Sequence, residues 1–409
     1  MKTSATVLLL AVLGAICPAR AQTPPPERVD LRAVLLLARE SSPRLALDRQ
    51  GVAVAEAERQ TAAAYPNPVV SYGRQRPGGS NTLFDGKRQQ DVSVELPLLI
   101  GGQRGARVEA ADRRIDAARA RARASGSDLA TEAGAAHVAL LFAQERRALL
   151  AYGLGEFSFL RELVSGRQTS GMASQYDVLR IDVEVEAWRT RLADAEAEEA
   201  DRQGILAALL GFPRWRPVAI GDIQPLDVRL DAVAQDNPAV TAARSEEWAA
   251  LALTELARRE RFPAVSLNAG RSWTSDPFGS SDILGVSVEI PILDTRTGAV
   301  EKARAEAIAA SVRRQLAESG VQTDIDRYAV QVMRRREALE AFRTRMSDRL
   351  PGLRQMAEDA YRLGRGSIVE LLDATRVRYE TQLGQLDLMA GLMEAELRLE
   401  AAKGRLVPP

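Results

Sequence analysis

Two kinds of hydrophobic spacing divide this chain. In Gln89 to Leu98, the apolar Val92, Val94 and Leu96 alternate with Ser93 and Glu95, and Val286, Val288 and Ile290 alternate in the same way with Ser287 and Glu289. A period of two gives a strand one apolar and one polar face. Each run is preceded by another strand-like run and a turn-rich connection, PGGSNTLFDGK in one case and the segment around TSDPFGSSD in the other. The pattern predicts four short strands, at about 67–76, 89–98, 263–273 and 283–292.

Elsewhere the spacing is helical. Ile181, Val185, Trp188, Leu192 and Ala195 step by four and three, and so do Tyr379, Leu383, Leu386, Ala390, Met393 and Leu397. That is the seam of a coiled coil. No proline occurs between Leu98 and Phe212, and Gly105 to about Arg167 reads as helix, ~95 Å long at ~1.5 Å per residue. Gly126, Gly134, Gly153 and Gly155 argue against one straight rod. A second helix should run from the turn near Gly171 to Leu210, stopped by Gly211. Asp30 to about Tyr65 is helical, with Pro43 opening a second helix. Leu226 to about Arg261 is also helical, with a break at Asn237-Pro238, and Pro351 interrupts a later long helix. Gln22 to Arg28, with three prolines, reads as an extended leader.

The programme is written twice. VSVELPLL (Val92 to Leu99) recurs as VSVEIPIL (Val286 to Leu293), 194 residues on. Gly171 and Gly364, Ser174 and Ser367, and Gly211 and Gly404 are each 193 apart. A period this long constrains architecture more than any single motif. The expected organisation is a signal segment at 1–21, a first repeat at 22–215 with a helical hairpin over 105–211, and a second at 216–409 with its hairpin over 298–404.

The first 21 residues have the secretory form: Lys2, an apolar run from Val7 to Ile16, and Ala19-Arg20-Ala21 as the cleavage site. Cys17 also permits a lipid-anchor reading, though Ile16 before it is not the small residue such processing prefers. Cleavage after Ala21 removes the only cysteine, and with it any disulfide or thiolate metal site. It also removes Lys2 and Arg20, so the 55 basic and 55 acidic residues become 53 and 55, a net charge of −2. Such a balance argues against a nucleic-acid partner. No later stretch reaches the ~18 apolar residues of a membrane-spanning helix. No nucleophile–base arrangement, phosphate-binding loop or metal-ligand spacing occurs, so neither an enzyme nor a cofactor is expected.

Each expected strand has the ~9–11 residues of a tilted membrane-crossing strand. Four strands cannot close, and open edges in lipid leave backbone groups unpaired at several kcal/mol each. Two chains would make an eight-stranded barrel filled by its own side chains. Three would make twelve strands, the smallest closure with a lumen. The rival reading, from another class, is a soluble periplasmic coiled-coil scaffold whose hairpins are ordinary caps.

The strand-to-helix segment VSVELPLLIGGQRGAR (Val92 to Arg107) and its copy VSVEIPILDTRTGAV (Val286 to Val300) resemble the TolC-type outer-membrane factor family. So do the turn-to-helix segments GMASQYDVLR (Gly171 to Arg180) and GRGSIVELLDA (Gly364 to Ala374). The resemblance covers residues 30 to 405, and Gly101 to Arg104 is similar to the heavy-metal efflux branch. It implies a mainly α chain with four strands, building a 12-stranded trimeric β-barrel on a long antiparallel coiled-coil α-barrel. It further implies a homotrimer in the outer membrane, docked to a periplasmic adaptor and an inner-membrane pump of the resistance-nodulation-division type or, alternatively, of type I secretion.

Within that resemblance Glu370 and Asp373 fall where the family's periplasmic entrance is acidic, on one face of the last long helix. Three copies would form a ring favouring cations. The competing role is helix-dipole complement in a first turn. Asp177 is the counterpart of Glu370, whereas Arg180 replaces Asp373. Tyr361 and Arg365 flank the second turn, where they would tie one hairpin to its neighbour. Glu95 and Glu289 would point into the lumen or be ordinary solvated glutamates. Trp273 and Phe278 fit an interfacial aromatic belt or ordinary packing. His137, the only histidine, reads as a helix-packing residue.

Overall fold

A computed structural model describes residues 25–76, 88–224, 226, 228, 230, 237–275, 279–346 and 349–406. The signal segment with Cys17, the 77–87 connection and Phe278 lie outside the described residues. The described helices are α1 (Leu31–Ser41), α2 (Pro43–Ala63), α3 (Gln103–Thr169), α4 (Gln175–Leu210), α5 (Pro238–Arg259), α6 (Thr297–Met346), α7 (Arg349–Arg362) and α8 (Ile368–Ala402). The strands are β1 (Arg28–Val29), β2 (Val69–Gln75), β3 (Gln89–Leu98), β4 (Val218–Ala219), β5 (Ala264–Thr274) and β6 (Ser280–Glu289).

The four longer strands form one antiparallel sheet in the order β2-β3-β5-β6. The last differs from the 283–292 expected: it starts at Ser280, opposite Trp273, and ends at Glu289. Pro291 has no N–H to offer a ladder, and the residue before a proline is restricted too. Each strand runs into a helix, and the helices keep the strand order: α2 packs on α3, α3 on α5, and α5 on α6. Sheet and rod are one continuous layer.

Helix α3 is unbroken over 67 residues, ~100 Å at ~1.5 Å per residue. None of the four glycines interrupts it, and two of them, Gly134 and Gly153, serve packing instead. A Cβ on Gly153 would stand 2.8 Å from the Trp188 ring, and one on Gly134 2.8 Å from Leu397. The neighbouring helices press into the α3 backbone at those points. Buried alanines such as Ala117, Ala120 and Ala133 allow the same close approach, which accounts for the alanine-rich composition. The lower half of α3 packs against α4 and α8, so it joins both hairpins.

Three expectations are corrected. Arg28, at the end of the expected leader, is not mere leader: with Val29 it pairs in parallel with Val218 and Ala219, tying this segment to the end of the first hairpin. Leu226 does not open a helix. The Leu226 N–H donates to Glu396 at 2.6 Å and Val228 is buried, while helix begins at Pro238, capped by Asn237. Pro351 does not end a helix: it lies inside α7, and residues 347–348 before that helix lie outside the described residues.

The two halves repeat in geometry. Gly171 and Gly364 turn at φ 73° and 72°, and Gly211 and Gly404 at 82° and 75°. At the strand-to-helix corner Gly102 has φ 75°, but its counterpart Arg296 holds φ 53°, the one described non-glycine residue there.

Candidate functional site

Paired residues of a sheet share a face, so the strand register sorts every side chain. One face carries Val70, Val94, Ala269 and Leu284 in one row, and Leu96, Leu267 and Val286 in the next. These residues are exposed: Leu284 is 79% and Val286 67% open. The other face carries Ser71, Ser93, Gly270, Asn268 and Ser287, and it is the more enclosed of the two. A sheet with its apolar side outward is inverted relative to a soluble protein. It suits lipid outside and water inside. Edges β2 and β6 have no neighbour among the described residues.

Glu95 and Glu289 both lie on the polar face. Glu95 stands between Val69 and Asn268 in register, and Glu289 opposite Ala264. Sequence reasoning passed over Asp91 on that face, which accepts from Gln89 Nε2 at 2.7 Å and Ser272 Oγ at 3.0 Å. Gly73 opposite leaves room for it. Alternation would have found it, since Asp91 is in phase with Ser93 and Glu95. Trp273 is on the outward face near the strand end and 45% exposed.

At the far end of the rod the two hairpins meet. Ser174 caps α4 and Ser367 caps α8, each in a reciprocal box. The Ser174 N–H donates to Asp177 Oδ2 at 2.8 Å and the Asp177 N–H to Ser174 Oγ at 3.2 Å. Glu370 repeats the arrangement with Ser367 at 3.1 and 3.3 Å. Both acids therefore complete their own helix starts; Glu370 is exposed and Asp177 half-buried. Asp373, one turn on, is exposed and accepts from Arg376 at 2.6 Å. Arg180, at the matching position of the first hairpin, lies 4.0 Å from Glu184.

Tyr361 is 5% exposed and faces the first hairpin of its own chain. Arg167, near the end of α3, stacks 4.7 Å over its ring and donates through Nη1 to the carbonyls of Tyr361 and Arg362, at 2.8 and 3.3 Å. Burial raises the Tyr361 phenol above its ordinary value, an effect that Arg167 partly offsets. Arg365 is exposed, and its side chain makes no ion pair among the described residues. The tyrosine and arginine flank the turn as expected, but the tie between hairpins runs through Arg167. Nothing in the spacing of the sequence signals that contact, which spans 194 residues.

Behind the turns Phe157, Trp188 and Tyr379 form an aromatic cluster, the first two stacked at 5.0 Å and the last two edge-on at 5.3 Å. The Tyr379 hydroxyl donates to Glu156 at 2.7 Å, and Arg354 and Arg378 also hold Glu156. Burial, then this hydrogen bond, raises the Tyr379 phenol. His137 is buried, its Nε2 3.1 Å from the Val29 carbonyl and its Nδ1 without a partner. It packs a helix onto β1. Among the described residues no group of acids, histidines or cysteines could hold a metal ion. No described helix is long and apolar enough to cross a membrane.

An inverted four-stranded sheet continuous with a ~100 Å helical rod is the protomer of an outer-membrane channel with a periplasmic extension. The chain belongs to the outer membrane efflux protein family, whose profile matches residues 34–212 and 230–405. It is 24% identical over 399 residues to the cobalt-zinc-cadmium resistance protein CzcC of Cupriavidus metallidurans, covering 92% of this chain and 90% of that one. It is 28% identical over 316 residues to the nickel-cobalt-cadmium resistance protein NccC of Alcaligenes xylosoxydans xylosoxydans, covering 75% and 69%. The crystal structure of VceC from Vibrio cholerae shares the fold, with a TM-score of 0.77 at 17% identity over 91% of this chain and 96% of that one. The protein is thus an outer-membrane efflux channel, and the soluble-scaffold reading is set aside. Channels of this family are trimeric and work with a periplasmic adaptor and an inner-membrane pump.

Proposed function

We propose that three copies form the exit duct of a resistance-nodulation-division-type system that expels divalent metal cations. The observation that carries this reading is the charge of the polar sheet face. Asp91, Glu95 and Glu289 lie on it, and none of the strand arginines does. With that face turned to the lumen, three copies present nine carboxylates to whatever passes, a field that favours cations. Similarity to CzcC and NccC, named for metal resistance, supports the choice of cargo. The duct supplies passage and charge preference; the pump supplies selection and energy.

The two hairpin turns form the periplasmic entrance in this reading. Asp177, Glu370 and Asp373 extend the acidic path to the tip, where the first two cap helices and the third meets Arg376. Arg365 projects from the second turn toward a neighbouring protomer, and Tyr361 anchors that turn to the first hairpin. Opening then separates α7 and α8 from α3 and α4.

Deleting the gene in its host and measuring growth on cobalt, zinc, cadmium and nickel salts tests the cargo. Hypersensitivity restored by the intact gene is the expected result. Unchanged tolerance to all four, with increased sensitivity to organic drugs, would contradict it.

A further inference from the structure

The strand register sorts charge by sign as well as polarity. Arg74, Arg76, Arg88 and Arg271 all have the phase of the outward, apolar face. The order from the helices toward the free end of the sheet is regular. Rows of Leu96, Leu267 and Val286, then Val70, Val94, Ala269 and Leu284, give way to Tyr72, Val92, Arg271 and Asp282. Next come Arg74, Gln90, Trp273 and Ser280. One step beyond the Gln75–Gln89 pair, the same register sets Arg76 opposite Arg88. The sequence apolar, aromatic, basic is what a strand meets on leaving hydrocarbon for headgroups.

Arg271 is spoken for, since Asp282 takes its Nε at 2.5 Å and its Nη2 at 3.0 Å. Arg74, Arg76 and Arg88 are exposed and have no ion-pair partner among the described residues. Arg76 and Arg88, one step past the last paired residues, bring like charges together beside Arg74, a cluster whose charge an anion would neutralise. Guanidinium groups suit phosphate oxygens in particular, through paired N–H donors.

We infer that Arg74, Arg76 and Arg88 form a binding site for the phosphate groups of the outer-leaflet glycolipid, repeated once per protomer around the barrel. The site is continuous with the lipid-facing band, so its occupant arrives with acyl chains already on the apolar rows. The arginines then hold the headgroup and fix the height of the barrel in the membrane. This rests on the reading of the apolar face as the barrel exterior.

Native mass spectrometry of the detergent-extracted full-length trimer provides the test, with bisphosphorylated lipid A, its fully dephosphorylated form and phosphatidylglycerol as probes. The intact protein should retain bisphosphorylated lipid A over both others. The Arg74→Gln, Arg76→Gln, Arg88→Gln variant should bind it on the order of a hundred-fold more weakly, given about a fivefold contribution per arginine at a lipid surface. A control variant, Arg313→Gln, Arg343→Gln, Arg345→Gln, removes equal charge from the helical rod and should bind as the intact protein does. Equal retention by the rim variant, or equal binding of dephosphorylated lipid or phosphatidylglycerol by the intact protein, overturns the inference. Conductance in planar bilayers separates the two levels: a rim variant that conducts normally but keeps its lipid sinks this site and leaves the channel reading standing.

Discussion

Arg167 Nη1 donates to the main-chain oxygen of Tyr361 at 2.8 Å, with the guanidinium 4.7 Å from the centre of that residue's ring. The arginine belongs to the first hairpin and the tyrosine to the second. A cation at a helix C-terminus satisfies carbonyls that the helix cannot, so this contact ties α7 to α3. Replacing Arg167 with alanine removes two charged hydrogen bonds and a cation–π contact, a loss of about 1–3 kcal/mol. The expected result is a larger open fraction in single-channel records, with Arg167→Lys intermediate.

The glycines of α3 should divide by sign. Gly155 has nothing within 4 Å of an added Cβ, so Gly155→Ala gains helix propensity, up to ~1 kcal/mol. Gly153→Ala meets Trp188 at 2.8 Å and should cost about 1–3 kcal/mol by overpacking. Thermal melting followed by far-ultraviolet circular dichroism distinguishes them; shifts of the same sign would contradict the packing account.

The strand-to-helix corners should respond oppositely to exchange. Gly102→Ala forces a Cβ into the left-handed region and should destabilise by about 1–2 kcal/mol. Arg296→Gly relieves the strain held at φ 53° and should raise the melting temperature.

Burial lowers the His137 imidazole below its ordinary value. Between that lowered value and the unfolded value of ~6.5, the unfolded chain binds more protons than the folded one. Stability should therefore fall as pH drops below ~6.5. His137→Gln should flatten that part of the melting-temperature profile, and an unchanged slope would point to another group.

Much of this was legible because periodicity is local. The alternation around Val92 and Val286 located the sheet, and Ile181, Val185 and Trp188 marked a seam that is buried. The Ser174 and Ser367 turns could be matched by their spacing alone. Two-residue strands such as β1 and β4 leave no periodic trace, so Arg28 read as leader. The extended path at Leu226 was hidden because its reason is remote: a buried Glu396, also held by Arg336 at 2.6 Å. Glycine misled in α3 because propensity says nothing about which neighbour presses on the helix. The Arg167–Tyr361 contact, joining two halves of the duplication at positions that do not correspond, had no signature at all.

Single-channel recording across a planar bilayer under a salt gradient tests the central claim most directly, that three inverted sheets close around an acid-lined lumen. The account predicts one uniform conductance with a reversal potential on the cation side. Glu95→Gln with Glu289→Gln should move that potential toward zero. An anion-selective current, or no current from a folded trimer even with Arg167→Ala, would contradict it.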